Sequence, residues 1–589
     1  MALRSKGPGS PSSHPLKLQH PYLVHLSLAR IQSFLVQTPR LRAIVGANAK
    51  LGEVVRGQWL GGRFRDQDGP PQNLPVLACR MGATSLDVAP STSLRPLAKD
   101  PLGNEDDPAG LAGLGVLARD GGNFEALFPS KEEAMAFAVE AEGLLSRELP
   151  GISWSTHIRP LGSNRPEQEL ADSKSEALAD FPYAHVCEAS GAGTASTIYP
   201  LGPEDRVRVS PASLELLKRG DAFDGRPKGV ERTRDVLGRM REGLLDSIGK
   251  RESEFPSEFS EIGRSGSLAI IQLDGNAIGA RSLQYSPRES HEDNADPAAE
   301  WSRRETFFHI LRTSMRIAFS NAFARKLSSL GISKKTKVPA RPLMLGGDDL
   351  LFLIDAPLAL PFLAEFEKEL RETSKKLLPK GEEAFTIGAG VAFVRLGFPF
   401  YRAHEISDSL VASAKRQSRG GDSDTLTSAV DWLNISQSWQ GDLIPYRLSE
   451  NRGSSGAHRA LACRPVPIAS NPQEGAKRPS LAKLLADASK LADMGREAAR
   501  SQLRGLVASL DRGYYEGILA ARLLPRPLRD ALVEWGYLTE SEHGWSPWFA
   551  SQEAGDSTTG SWTTLPDLVD VFELERLKRL TYPKLSKSK

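Results

Sequence analysis

The chain has 589 residues, of which 40% are hydrophobic and 25% charged, and its net charge is +2. This is a globular composition, long enough for several cores, and so balanced a charge excludes nucleic-acid binding by bulk electrostatics alone. No apolar run approaches the ~20 residues that span a bilayer. Cys79, Cys187 and Cys463 lie far apart with no Cys-x-x-Cys pair, so neither a disulfide framework nor a zinc site is expected.

Residues 1–21 are rich in Pro, Ser and Gly and lack a hydrophobic signal core, which reads as a disordered arm on a cytoplasmic chain. Tyr22–Leu28 has strand character and is followed by a helical pattern, Ala29–Leu35. Gly121-Gly122-Asn123-Phe124 then opens an apolar run that leads into an amphipathic helix, Lys131–Leu145. These elements compose a first domain over 22–160. The polar stretch 161–180 separates it from a middle segment, 181–264, with a helical pattern near Ser213–Leu245.

The clearest chemistry lies over 265–466. Ser267–Leu273 is a strand-length apolar run that delivers Asp274-Gly275-Asn276 at its end. A long helical pattern through Trp301, Leu311 and Phe323 follows. Met344–Ile354 then reads as a β-hairpin with Gly346-Gly347-Asp348-Asp349 at its turn. A helix through Leu360–Leu377, a strand over Phe385–Val394 and a helix around His404–Arg416 complete the alternation β-α-β-β-α-β, a ferredoxin-like core. Carboxylates on neighbouring strand ends suit Mg²⁺ or Mn²⁺, which take oxygen ligands and substrate phosphates. Two such ions roughly 3.5–4 Å apart can serve phosphoryl transfer.

The first domain repeats this plan without its acids. Gly121-Gly122 parallels Gly346-Gly347, and Asn123 and Phe124 stand against Asp348 and Asp349. The strand Tyr22–Leu28 ends without an Asp, so this copy is expected to be chemically silent. Residues 468–479 form a linker. Beyond it, Leu481–Ala492 and Leu503–Leu510 recur at helical spacing, which points to a helical C-terminal domain over 480–589 whose end, Arg576–Lys589, is basic. The fold class read from the sequence is α+β: two ferredoxin-like domains, a helical middle segment and a C-terminal α-helical bundle.

Asp274-Gly275-Asn276, Gly346-Gly347-Asp348-Asp349, Gly388-Ala389-Gly390-Val391 and Ala414-Lys415 together resemble the second palm domain of the large polymerase-cyclase subunit of type III CRISPR effector complexes. Ser428–Asp431 and Pro445-Tyr446-Arg447 resemble the palm's continuation. The resemblance implies one degenerate and one catalytic palm, with ATP as substrate and cyclic oligoadenylate as product. It further implies other effector subunits, guide RNA and target RNA as partners. Asp274 and Asp348 become direct metal ligands, and Asp349 a third ligand or partner of the pair. Gly275, Asn276, Gly346, Gly347 and Lys415 become nucleotide-binding residues. Asn276 stands where many members have an acid. Many members also carry a zinc-binding insert between the palms, of which His185-Val186-Cys187 keeps one cysteine, and an N-terminal nuclease domain with a His-Asp pair. No His-Asp dipeptide occurs in this sequence, so DNA cleavage is not expected. Three alternatives remain at this level: a stand-alone palm cyclase in antiviral signalling, a diguanylate cyclase-like enzyme, and a non-catalytic scaffold of an RNA-guided complex. The diguanylate pattern puts Glu-Phe where Asp349-Leu350 stands.

Overall fold

The computed structural model describes residues 21–29, 31–36, 40–66, 69–88, 92–97, 99–162, 168–170, 187, 189, 194–200, 206–211, 213–214, 217–218, 236–249, 255–285, 296–330, 337–419, 426–435, 459–469, 479–495, 500–541, 544–550 and 561–583. The N-terminal arm and Pro445-Tyr446-Arg447 lie outside these residues. No described helix is long and apolar enough to cross a membrane.

The fold mixes helices with two large sheets built on one plan. In the six-stranded sheet the order is Val466–Pro467, Ala429–Ile435, Ile387–Arg395, Ser267–Gly275, Asp349–Asp355, Ala340–Gly346. The four strands of the β-α-β-β-α-β run therefore lie in the order fourth, first, third, second. The first strand is antiparallel to both its neighbours. Ala429–Ile435 adds parallel to the fourth strand after the helix Phe400–Arg419.

This sheet is covered on both faces, which is why its strands read as nearly unbroken apolar runs. Ala269, Ile271, Leu273, Leu350, Phe352 and Ile354 face the helices Pro297–Leu327 and Ala359–Leu377. Leu268, Ile270, Leu351 and Leu353 face the helix Phe400–Arg419 and also Leu41, Ile44 and Val45 of the helix Leu41–Arg56. Side chains alternate along a strand, so Asp274 and Asp349 project on the second of these faces.

The five-stranded sheet has the same core order: Val116–Ala118, Asn123–Phe128, Tyr22–Ala29, Ser153–Pro160, with Gln168–Leu170 added at the edge. That added strand falls inside the stretch read as a linker. The register also corrects the alignment of the two turns by one residue. Asn123 pairs with Ser27, and Phe124 is buried opposite Leu26. In the larger sheet Leu350 pairs with Leu273. Gly122 and Asn123 thus occupy the places of Asp348 and Asp349, and Ser27 that of Asp274. Glycine identity aligns Gly121-Gly122 with Gly346-Gly347, whereas the turn geometry matches Gly121 to Gly347.

The middle segment and the C-terminal region are less purely helical than their sequences suggest. The middle segment contains the helix Val236–Ser247 and a hairpin, Thr197–Pro200 with Arg206–Val209. The C-terminal helices Leu481–Asp493, Arg500–Arg512, Tyr514–Arg522, Arg526–Glu534 and Leu565–Thr581 are joined by short strands at Thr539–Ser541, Gly544–Ser546, Phe549–Ala550 and Ser561–Trp562. The basic end is not a tail at its start, because Arg576 lies inside the helix Leu565–Thr581. That helix is fastened to the large sheet. The Tyr582 hydroxyl donates to Asp355 Oδ2 at 2.6 Å, and Asp567 accepts from the Cys463 amide at 2.7 Å.

The helix Pro297–Leu327 joins the two units. One side buries Phe307, Phe319 and Phe323 in the large core. The other side meets the first unit through charge. Arg316 binds Asp100 at 2.5–2.9 Å and also Asp106, while Arg312 binds Asp106 at 3.1 Å and Glu305 at 2.7 Å. His309 Nε2 lies 3.0 Å from the Arg95 carbonyl. Burial alone would push the Asp106 carboxyl up, but Arg312, Arg316 and His309 outweigh it and hold it well below the usual range.

Removing one partner of such a cluster leaves a buried charge uncompensated, which costs about 3–5 kcal/mol. Arg316→Met should lower unfolding stability by about that much, read from urea midpoints at unchanged slope. Because the folded carboxyl of Asp106 titrates below its unfolded value, its contribution is complete above the ordinary carboxylate pKa of about 3.9 and is lost as pH falls below it. Wild-type stability should therefore drop more steeply than that of the variant on acidification below pH ~4.

Candidate active site

The strand Ser267–Gly275 and the hairpin Ala340–Gly346/Asp349–Asp355 bring Asp274, Asp348 and Asp349 together at one end of the sheet. Gly346 pairs with Asp349, so Gly347-Asp348 is a two-residue turn, and Gly347 has φ 42°, a left-handed angle that glycine adopts without strain. Gly275 permits the close approach of the two chains. A Cβ there would lie 2.9 Å from Asp348 Cβ and 2.5 Å from Ile278 Cγ1.

Crowding acids raises their proton affinity. Burial, then the charge of Asp274, pushes the Asp348 carboxyl above its ordinary range. Burial, then Asp348 and Asp274, pushes Asp349 up to about 7. One cation faces them: Lys415 Nζ lies 2.5 Å from Asp274 Oδ2. Lys415 reaches that position because the helix Phe400–Arg419 packs unusually close to the strand Ile387–Arg395. A Cβ on Gly390 would come within 2.2 Å of the Ser407 carbonyl oxygen, and one on Gly388 within 2.6 Å of Lys415 Cγ.

Asn276 is buried and faces the sheet. Its Nδ2 donates to Thr386 Oγ1 and to the Thr427 carbonyl, each at 3.2 Å, and its backbone N–H donates to the Thr386 carbonyl at 2.8 Å. Both amide protons are thereby used in tying the Asp274 loop to the neighbouring strands. The next residue, Ala277, has φ 53° and ψ 27°, a left-handed conformation costing a non-glycine residue about 1–2 kcal/mol.

A cavity of about 190 Å³ lies between the two units at this turn. Gly346, Gly347, Asp348 and Asp349 form one wall, while Asn48, Arg56 and the Arg119–Gly122 turn contribute to the other. Arg56 binds Asp120 at 2.8 Å. Among the described residues, its Nη2 and Arg119 Nε are buried without a hydrogen-bond partner. Burial, followed by repulsion from Arg56, pushes the Arg119 guanidinium down to about 9. Sequence reasoning did not single out Arg56, Arg119 or Asp120. The Asp immediately before Gly121-Gly122 was a usable signal, but nothing in the periodicity marks the arginines.

Among the described residues, no group of three or more His, Cys, Asp and Glu side chains is arranged to hold a metal ion as it stands. The donor chemistry nevertheless fits a hard divalent cation, because three carboxylates converge at one strand end and burial with mutual repulsion raises the proton affinity of Asp348 and Asp349. Lys415 partly meets that demand for positive charge.

No protein-family model and no curated protein matches the chain. Solved structures of a Csm1-Csm4 cassette are similar in part. The complex with cA3 matches with a TM-score of 0.43 and 11% identity over 88% of this chain and 65% of that chain. The complex with AMPPNP matches with a TM-score of 0.34 and 11% identity over 68% of this chain and 54% of that one. The apo cassette matches with a TM-score of 0.34 over 70% and 55%. The chain thus spans about half the length of the AMPPNP-bound chain it matches.

The two glycines predict graded effects. Gly390→Ala meets rigid backbone and should destabilise by about 1–3 kcal/mol while moving Lys415 away from Asp274. Gly388→Ala meets Lys415 Cγ at 2.6 Å but backbone only at 3.3 Å, and should cost less. Denaturant titration of both, with a crystal structure of Gly388→Ala, checks the order.

Proposed function

We propose that this chain is a metal-dependent nucleotidyl transferase that joins ATP into cyclic oligoadenylate, acting as the palm-bearing subunit of a type III CRISPR antiviral complex. The observation that carries the reading is the convergence of Asp274, Asp348 and Asp349 beside Lys415, at a cavity whose other wall comes from a second unit of the same strand order. In this reading the large sheet belongs to the catalytic palm, 265–466, and the smaller one to a degenerate palm, 22–160.

Asp274, Asp348 and Asp349 would hold Mg²⁺ or Mn²⁺. A divalent cation bound there lowers the pKa of the attacking 3′-hydroxyl and offsets charge on the pyrophosphate leaving group. Lys415, in contact with Asp274, is positioned to transfer its charge to a phosphate oxygen when the carboxylate is otherwise engaged. Gly346 and Gly347 leave open space over the turn, since a Cβ on either would meet nothing within 4 Å, and a triphosphate can approach the backbone. Gly275 keeps Asp348 close to Asp274. Asn276 acts as a positioning residue by anchoring the loop that presents Asp274. The other effector subunits, guide RNA and target RNA are the proposed partners.

The test is incubation of the purified chain with ATP and Mg²⁺ or Mn²⁺, followed by mass spectrometry of the products. Asp348→Ala/Asp349→Ala should abolish nucleotide joining and leave the fold intact. In metal-free buffer at pH 7 or above the same variant should melt higher than wild type, because two crowded carboxylates are gone. Wild-type turnover in that variant removes the assignment. GTP converted as readily as ATP favours the diguanylate reading, and full activity without partners or RNA favours a stand-alone cyclase.

Asn123 is expected to behave oppositely. It occupies the place of Asp349 in a unit without the corresponding acids, and its side chain donates to the Gly121 carbonyl at 3.3 Å. Asn123→Ala should leave the single-turnover rate unchanged at saturating ATP, as measured by rapid quench.

A further inference from the structure

A second cavity, of about 410 Å³, lies at the opposite end of the large sheet, beneath the C-terminal helices. Its lining includes Ser267, where the strand that delivers Asp274 begins, and Ala356, just beyond the strand that starts at Asp349. Seven residues of extended chain place it roughly 23 Å from the acidic turn. It is therefore a separate site.

Its charge is unusual for this molecule. Arg395, Arg500, Arg504 and Arg576 line it with a single carboxylate, Glu573. Arg500 Nε and Arg504 Nε both bind the same oxygen of Glu573, at 2.6 and 2.9 Å. Arg395 is exposed, and neither it nor Arg576 has a carboxylate partner among the described residues. Four guanidinium groups against one carboxylate leave +3 around one cavity, more than the +2 of the entire chain. Apart from Ser267 and Asn434 the rest of the wall is apolar, with Ile435, Leu577 and the exposed Leu580. The volume falls within the ~300–1,000 Å³ usual for small-molecule sites, and planar guanidinium forks match phosphate oxygens in pairs.

We propose that this cavity binds a phosphate-bearing small molecule of nucleotide size, its phosphates on the arginines and its organic body against Ile435, Leu577 and Leu580. The site is independent of the chemistry at the acidic turn. It gives the chain a second place for a nucleotide or polyphosphate, apart from the one at Asp274, Asp348 and Asp349.

The experiment is isothermal titration of the full chain in EDTA with ATP and, separately, with inorganic triphosphate. Saturable binding is expected, weakened at least tenfold by Arg395→Glu and by Arg504→Gln, with melting temperature unchanged. The control Arg63→Glu, at an exposed turn of the first unit, should bind as wild type does. Asp348→Ala/Asp349→Ala should keep the binding, so that a failure here is distinguishable from a failure of the proposed activity. ATP tighter than triphosphate identifies a nucleotide, and equal affinity identifies a bare polyphosphate bound through the same contacts. Absence of saturable binding, binding indifferent to both arginine variants, or citrate bound as tightly as triphosphate would overturn the proposal.

Discussion

The site depends on a set of charges removed from water. Asp100, Asp106 and Asp120 of the first unit meet Arg312 and Arg316 of the helix Pro297–Leu327, and Arg56 closes the group on the cavity side. Buried ion pairs add little net stability over apolar packing of the same volume, but they tolerate few alternative geometries. Here that selectivity sets how the two units meet. The turn Gly121-Gly122 shares a cavity with Gly346–Asp349, and Asp120, which leads into it, is held together with Asp106 by the same arginine, Arg312. An apolar interface would bury comparable area with less control over register.

The acidic turn itself is a compromise between crowding and access. Gly275 removes the Cβ that would separate Asp274 from Asp348, and Gly388 and Gly390 let a helix approach until Lys415 reaches Asp274. Each adjustment raises the density of charge at a strand end that is partly shielded from water. Repulsion among the carboxylates is the physical basis of a cation-binding site, since what destabilises the free state is what the incoming ion relieves.

Much of this was legible in the sequence, for identifiable reasons. Strands buried on both faces announce themselves as apolar runs, and Ser267–Leu273 and Met344–Ile354 stood out on that basis. The acids sat at the turn and strand end where the pattern placed them. The alignment of the two turns was off by one, because glycine identity was followed where hydrogen-bond register decides. The strand Gln168–Leu170 and the short strands near 539–562 are too brief and polar to leave a periodic signal. Arg312 and Arg316 were invisible for a different reason. Charged residues on a long helix normally mark its solvent side, and only the tertiary fold shows that this side is an interface. The resemblance implies a nucleotide-binding role for Asn276, and only the fold shows that its Nδ2 is engaged by Thr386 and Thr427.

The tie between Tyr582 and Asp355 bears on how the chain is made. Asp355 ends a strand paired on both sides in the large sheet, and its partner lies 227 residues further along the sequence. Contacts of that separation form late, since their loop-closure entropy must be met before they contribute. During synthesis, Leu568 and Phe572 are absent from the core while most of the sheet is already available to fold. Until the helix Leu565–Thr581 has been made, the nascent protein therefore carries an uncovered apolar flank on the large sheet.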